Sequence, residues 1–335
     1  MDESILDRAR SREVSPERYL RLAAAAAVSL YLIVFTGALV RLTGSGLACE
    51  SWPGCQEGAF FPAVGEHSTI EFGNRVFALV PIALSLLAWI AAPRTLGLGR
   101  GAAWLAAGVF LGTIAQAPLG LLTIRLDLHP LMVGTHFLLA LVVLAGAVVL
   151  AVEAWGNARG RVRSPAPRWL RAVALVLVVA CGILVLTGTL STAAGPHPGD
   201  SAEIDRFWNL LDAVWWHVRA TAAFGLSFLI LVAWLVRERR RVPGLWQAAA
   251  GLIALLLLQM AVGEIQYRNE LPWWLVLVHV CLAAAVWAWT VGLVAALWRT
   301  PAALVVGASW ASAGADAQRA KTPEGGRPRP QKTTL

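Results

Sequence analysis

The chain has 335 residues, of which 58% are hydrophobic and only 14% charged, with a formal net charge of +8. A water-soluble domain carries about a quarter charged residues, so this composition excludes an ordinary soluble enzyme and points to a polytopic membrane protein. The basic excess does not indicate a nucleic-acid partner, because no folded basic domain carries it.

The first 21 residues are rich in acids and arginines, Asp2 to Arg21. They lack the pattern of a cleaved leader, so the first apolar run is expected to stay as a helix. Eight apolar runs follow, at about 22–40, 72–92, 102–122, 130–152, 169–190, 209–236, 244–264 and 272–298. Each is near the roughly 20 residues that cross hydrocarbon. The expected fold is all-α, with eight transmembrane helices in two pseudo-repeated four-helix bundles. The expected divisions are an N-terminal segment 1–21, a first half 22–155, a Pro-containing basic linker 156–168, a second half 169–299 and a basic tail 300–335, expected to be largely disordered. Of the 28 Lys and Arg residues, 22 fall in the two terminal segments and the loops of one side. The positive-inside rule makes that side cytoplasmic, with both termini there and the chain multi-pass in the plasma (inner) membrane.

Taken in chain order, the first polar feature is the outer loop after span 1, which holds Cys49 and Cys55. That side is oxidising, so a disulfide closing the short loop is expected. Span 2 opens with Glu71-Phe72-Gly73-Asn74-Arg75. Glu71 and Asn74 share a helix face. From the residues alone Glu71 has two readings: a proton acceptor, or an acid stabilised at a helix N-terminus. Arg41, Arg75 and Arg125 sit near the outer ends of the first-half spans and are candidate partners for carboxylates; lipid-headgroup contact is the other reading. His136 lies in span 4, His217 near the start of span 6 and His279 in span 8. His129 and His197 fall in outer loops and are expected to be solvated.

The chain repeats itself around two of these histidines. Gln116 and Gln259 each precede a His by 20 residues, and Gly120 and Gly263 precede the same His by 16. Imidazole inside a membrane span is uncommon and usually functional, and neutral imidazole is a good iron ligand. His217 and His279 on alternate spans of one bundle would hold a haem from both faces. The first half offers His136 with Asn74 in the slot that matches His217, leaving one strong ligand.

With these residues assembled, the chain resembles the haem A synthase family over roughly residues 20–298. The most specific piece is the stretch from Gly37 through Arg41 and Cys49 to Cys55. Ile70-Glu71-Phe72-Gly73-Asn74-Arg75 is similar to the family's Glu-x-x-His-Arg on span 2, with Asn74 where the family motif has His. Val133-Gly134-Thr135-His136 resembles its span 4 site, and His217 and His279 match its second-half pair. The resemblance implies a haem b between His217 and His279, and a substrate haem O near His136 and Glu71. It implies oxidation of a porphyrin methyl to a formyl group through two hydroxylations, giving haem A for terminal oxidases. Glu71 would take a proton or position water. The haem O synthase and oxidase assembly factors are the implied partners, besides membrane lipid. Two other classes fit less of the sequence: a non-enzymatic di-haem electron carrier, and a transporter built from parallel repeats.

Overall fold

A computed structural model describes residues 13–62, 65–200 and 206–305. Within them, nine α-helices build eight spans long and apolar enough to cross a membrane. α1 is Pro16–Leu42; α2 (Glu66–Phe77) and α3 (Leu79–Ala91) share the second span; α4 is Arg100–Arg125 and α5 Pro130–Arg159. α6 is Arg168–Ala194, α7 Leu210–Glu238, α8 Pro243–Arg268 and α9 Trp273–Trp298. The described residues contain no β-strand, only isolated bridges such as Val14 with Thr95. The eight-span, all-helical expectation holds, with most helices running a few residues beyond the apolar runs. The tail beyond residue 305 and the first 12 residues lie outside the described residues, and so does most of the expected disorder.

Local chemistry sets the helix ends. Ser15 accepts the Arg18 N–H, Pro16 occupies the first turn and Glu17 follows it, all stabilising an N-terminus. Pro130 and Pro243 likewise occupy the first turns of α5 and α8, without a side-chain cap or a first-turn acid. Span 2 breaks at Ala78 because Pro81 has no N–H to offer the carbonyl of Phe77.

The spans pack as two rings. α1, α3, α4 and α5 contact one another in cyclic order, and α6, α7, α8 and α9 do the same. The rings meet through α5 against α9, flanked by α1 on α9 and α5 on α6. Hydrocarbon supplies no hydrophobic drive between helices, so close packing and interhelical hydrogen bonds hold such bundles. Gly146 receives the Val109 side chain, Tyr31 Oη donates to the Cys281 carbonyl at 3.1 Å, and Trp287 Nε1 donates to that of Leu141 at 2.8 Å.

The disulfide-bearing end of the molecule is locked by two unusual turns. Asp127 and Leu128 have φ of 49° and 55°, and Glu270 and Leu271 have 62° and 59°. Left-handed backbone costs a side-chain-bearing residue about 1–2 kcal/mol, so the surroundings must over-determine it. Buried Leu128 wedges between Gly46 and Gly199, where an added Cβ would stand 2.8 and 3.0 Å from its Cδ1. The Gly46 N–H donates to the Gly199 carbonyl at 2.8 Å. The Leu271 carbonyl receives His197 Nε2 at 2.7 Å. His197 is therefore a structural link between loops and not the freely solvated residue expected.

Candidate functional site

In the second ring, His217 on α7 and His279 on α9 face each other. Their ring centroids lie 6.4 Å apart with planes inclined by 72°. Two in-line imidazole–metal bonds of about 2 Å each put ring centroids roughly 6 Å apart, so the pair fits one metal between them. Both rings are backed by glycine. A Cβ at Gly188 on α6 would stand 3.0 Å from His217 Cε1, and one at Gly263 on α8 would stand 2.9 Å from His279 Cε1. Thr187 Oγ1 lies 3.3 Å from His217 Nδ1, and Gln259 Nε2 donates to the His279 carbonyl while lying 3.1 Å from its Nε2. Such partners orient a ligating imidazole.

The first ring shares parts of this layout. Gly120 on α4 backs His136 on α5, where a Cβ would be 3.4 Å from His136 Cε1. Thr36 on α1 donates to Asn74 Oδ1 on α2 at 2.7 Å. Thr36 thus meets Asn74 across spans 1 and 2 as Thr187 meets His217 across spans 5 and 6. Gly37, which follows Thr36 as Gly188 follows Thr187, has no atom within 4 Å of a Cβ position. The amide O and N of Gln116, and Nδ1 of both His136 and His279, are buried without a protein hydrogen-bond partner. Each such orphan costs about 1–3 kcal/mol, and their concentration beside the histidines fits a polar, metal-bearing ligand. The Thr-Gly dipeptides of spans 1 and 5 were readable signals that the histidine spacing alone does not include.

Glu71, 4% exposed, is fully engaged. Its Oε2 accepts the Cys49 N–H at 2.8 Å, and its Oε1 accepts Arg75 Nη2 at 2.5 Å. Arg75 Nη1 reaches on to the carbonyls of Ser51 and Gly54. Glu71 and Arg75 therefore fasten α2 to the cysteine loop, where Cys49 and Cys55 form a disulfide packed on Phe72. With the bond formed and both cysteines buried, thiol labelling of the denatured, unreduced protein should modify neither residue. Labelling of both in protein taken from intact membranes would contradict the bond.

The other two arginines go elsewhere. Arg125 ends α4, exposed and without an ion pair among the described residues. Arg41 crosses to the second ring, where Nη2 donates to the Thr192 carbonyl at 2.8 Å and Nε to that of His197 at 3.2 Å.

The chain is similar to known proteins over most of its length. A heme A synthase of Symbiobacterium thermophilum is 28% identical over 276 residues, 77% of this chain and 88% of that protein. One of Listeria monocytogenes is 26% identical over 75% of this chain and 86% of its own length. One of Bacillus pumilus is 31% identical over 143 residues, spanning 45% of that relative. The family model described as cytochrome oxidase assembly protein, COX15-CtaA, matches residues 20–291, which include every histidine and arginine placed above. The chain belongs to the COX15-CtaA family of cytochrome oxidase assembly proteins.

Proposed function

We infer that this membrane protein is a haem A synthase, an oxidoreductase that converts a methyl group of haem O to a formyl group. The observation that supports the division of labour is the difference between the two rings. One presents an imidazole pair 6.4 Å apart, the other His136 opposite Asn74 held by Thr36. We assign a resident haem b to His217 and His279, and the substrate haem O to His136 in the first ring. Haem b supplies a one-electron couple when bound. His217 and His279 hold it, while Thr187 and Gln259 fix the two imidazoles. His136 holds the substrate, and Gln116 offers its unpaired amide to it. Glu71 is the proposed proton acceptor, kept in place by Arg75 and the Cys49 N–H. Arg125, without an ion pair among the described residues, is the first-half candidate for the substrate's carboxylates. The cysteine-loop side is assigned to the outside of the plasma membrane from the distribution of basic residues. The haem O synthase and oxidase assembly factors remain the proposed protein partners.

The test is co-expression with a haem O source followed by chromatography of the extracted haems. Haem A should appear with this protein and not with a His136→Ala variant. Two bound haems and no haem A would turn the reading to a di-haem electron carrier.

A second expectation concerns Gly263. A methyl at 2.9 Å from His279 Cε1 forces the ring away from His217. Overpacking of this kind costs about 1–3 kcal/mol. Gly263→Ala should therefore bind haem b about tenfold more weakly. Gly225→Ala on α7, with nothing within 4 Å of the new methyl, should match the wild type in the same titration.

A further inference from the structure

Two arginines meet at the edge of the second ring, and neither is ion-paired with a carboxylate among the described residues. Arg41, from α1, and Arg206, from the segment before α7, both donate to the same acceptor, the Thr192 carbonyl, at 2.8 and 3.4 Å. Arg206 Nε is buried and has no hydrogen-bond partner. A single carbonyl oxygen carries only a partial negative charge, so two guanidiniums drawn onto it repel each other and keep spare donors. Arginine forks in this state match carboxylates, which accept two parallel N–H bonds.

Their position says which carboxylates. Thr192 is four residues beyond Gly188 on α6, and Gly188 backs the His217 ring. Residues four apart lie on one helix face, about 6 Å along the axis. The arginine pair therefore sits one turn outward from the imidazole pair, at the mouth of the same ring. A cavity of about 490 Å³ lies beside Arg206, lined also by Gly195, Leu210, Tyr267, Glu270 and Leu271; Arg41 is not in its lining. Arg41 arrives from the other ring, so the pair lies where the rings adjoin and not on a face turned to lipid.

We propose that Arg41 and Arg206 together form the receptor for the two carboxylates of the haem held by His217 and His279. This rests on the assignment of haem b to the second ring, and it moves Arg41 from the substrate half to the resident-haem half. The pair fixes which edge of the porphyrin faces outward. It also neutralises the two acids as they leave water.

The test uses full-length, haem-depleted protein in detergent, titrated with haem b and with its dimethyl ester, which keeps the ring and iron but removes both charges. Wild type should prefer the free acid by about tenfold or more, the scale of one or two charge-assisted hydrogen bonds. Arg206→Gln and Arg41→Gln should each lose most of that preference by weakening the free acid alone. Arg206→Lys should keep part of it. A normal low-spin spectrum with equal binding of acid and ester in wild type overturns the proposal by itself, even if the variants fold poorly. So does a preference unchanged in both Gln variants. A further arm repeats the titration in nanodiscs with and without phosphatidylglycerol. Loss of discrimination only when that lipid is present assigns the pair to a lipid phosphate and also overturns the proposal. Absence of any low-spin haem b spectrum in wild type removes the parent assignment, and this one with it.

Discussion

Replacing His217 or His279 with Ala should strip the second ring of its low-spin haem b. In the proposed site each imidazole would supply one bond to the same metal, and the two ring centroids stand 6.4 Å apart. Loss of a partner that merely orients a ligand costs 10–100-fold in metal affinity, so loss of the ligand itself should exceed about 100-fold. Neither change should unfold the chain. The neighbours of these rings include Gly188, Gly263, Thr187 and Gln259, and neither histidine belongs to the apolar core around Leu170, Leu177, Phe224 and Leu231. His136→Ala should leave that spectrum in place and abolish haem A formation. The measurement is the reduced-minus-oxidised spectrum of each purified variant beside extracted-haem chromatography. A double variant of His217 and His279 that retains a full low-spin spectrum would falsify the assignment.

The spans were legible because hydrocarbon imposes one rule, about 20 apolar residues per crossing, and the eight apolar runs each became a helical span. The histidines were legible because ionisable groups are rare in such runs and because Gln, Gly and His recur at fixed spacing. Other features had no such signature. The break at Ala78 depends on one proline, whereas Pro118 sits inside an unbroken α4, so proline alone does not decide. The direction of Arg41 was hidden, since position along a span fixes depth but not which neighbour a long side chain meets. His197 read as a loop residue, and only the left-handed turn at Leu271 reveals the carbonyl it binds. Glu71 read as a helix-end acid, but α2 begins at Glu66, so Glu71 lies in its second turn and Glu66 is the first-turn acid; its hold on the cysteine loop depends on the folding of residues 49–55 back over α2.

Asn74→His should convert the first ring into a copy of the second. Thr36 already donates to the side chain at position 74, as Thr187 meets His217, and the space beside Gly37 has no atom within 4 Å of a Cβ position. An imidazole there would find both room and a partner for its Nδ1. The substrate haem should become six-coordinate and low-spin between positions 74 and 136, and be retained about tenfold or more strongly. Turnover should fall, because tighter holding of substrate and product slows release without helping the chemical step. An unchanged spectrum with substrate bound would mean that position 74 does not face the iron. A low-spin shift with slower turnover would instead make the natural Asn74 a device that lets a substrate leave. Glu71 separates along the same lines. Glu71→Gln keeps an oxygen to accept the Cys49 N–H, so the loop should stay closed and Cys49 and Cys55 unlabelled. If Glu71 also takes a proton from the substrate side, turnover should drop by about 10²–10⁴ with both haems bound. Turnover that survives Glu71→Gln but not Glu71→Ala would reduce this carboxylate to the anchor of the cysteine loop.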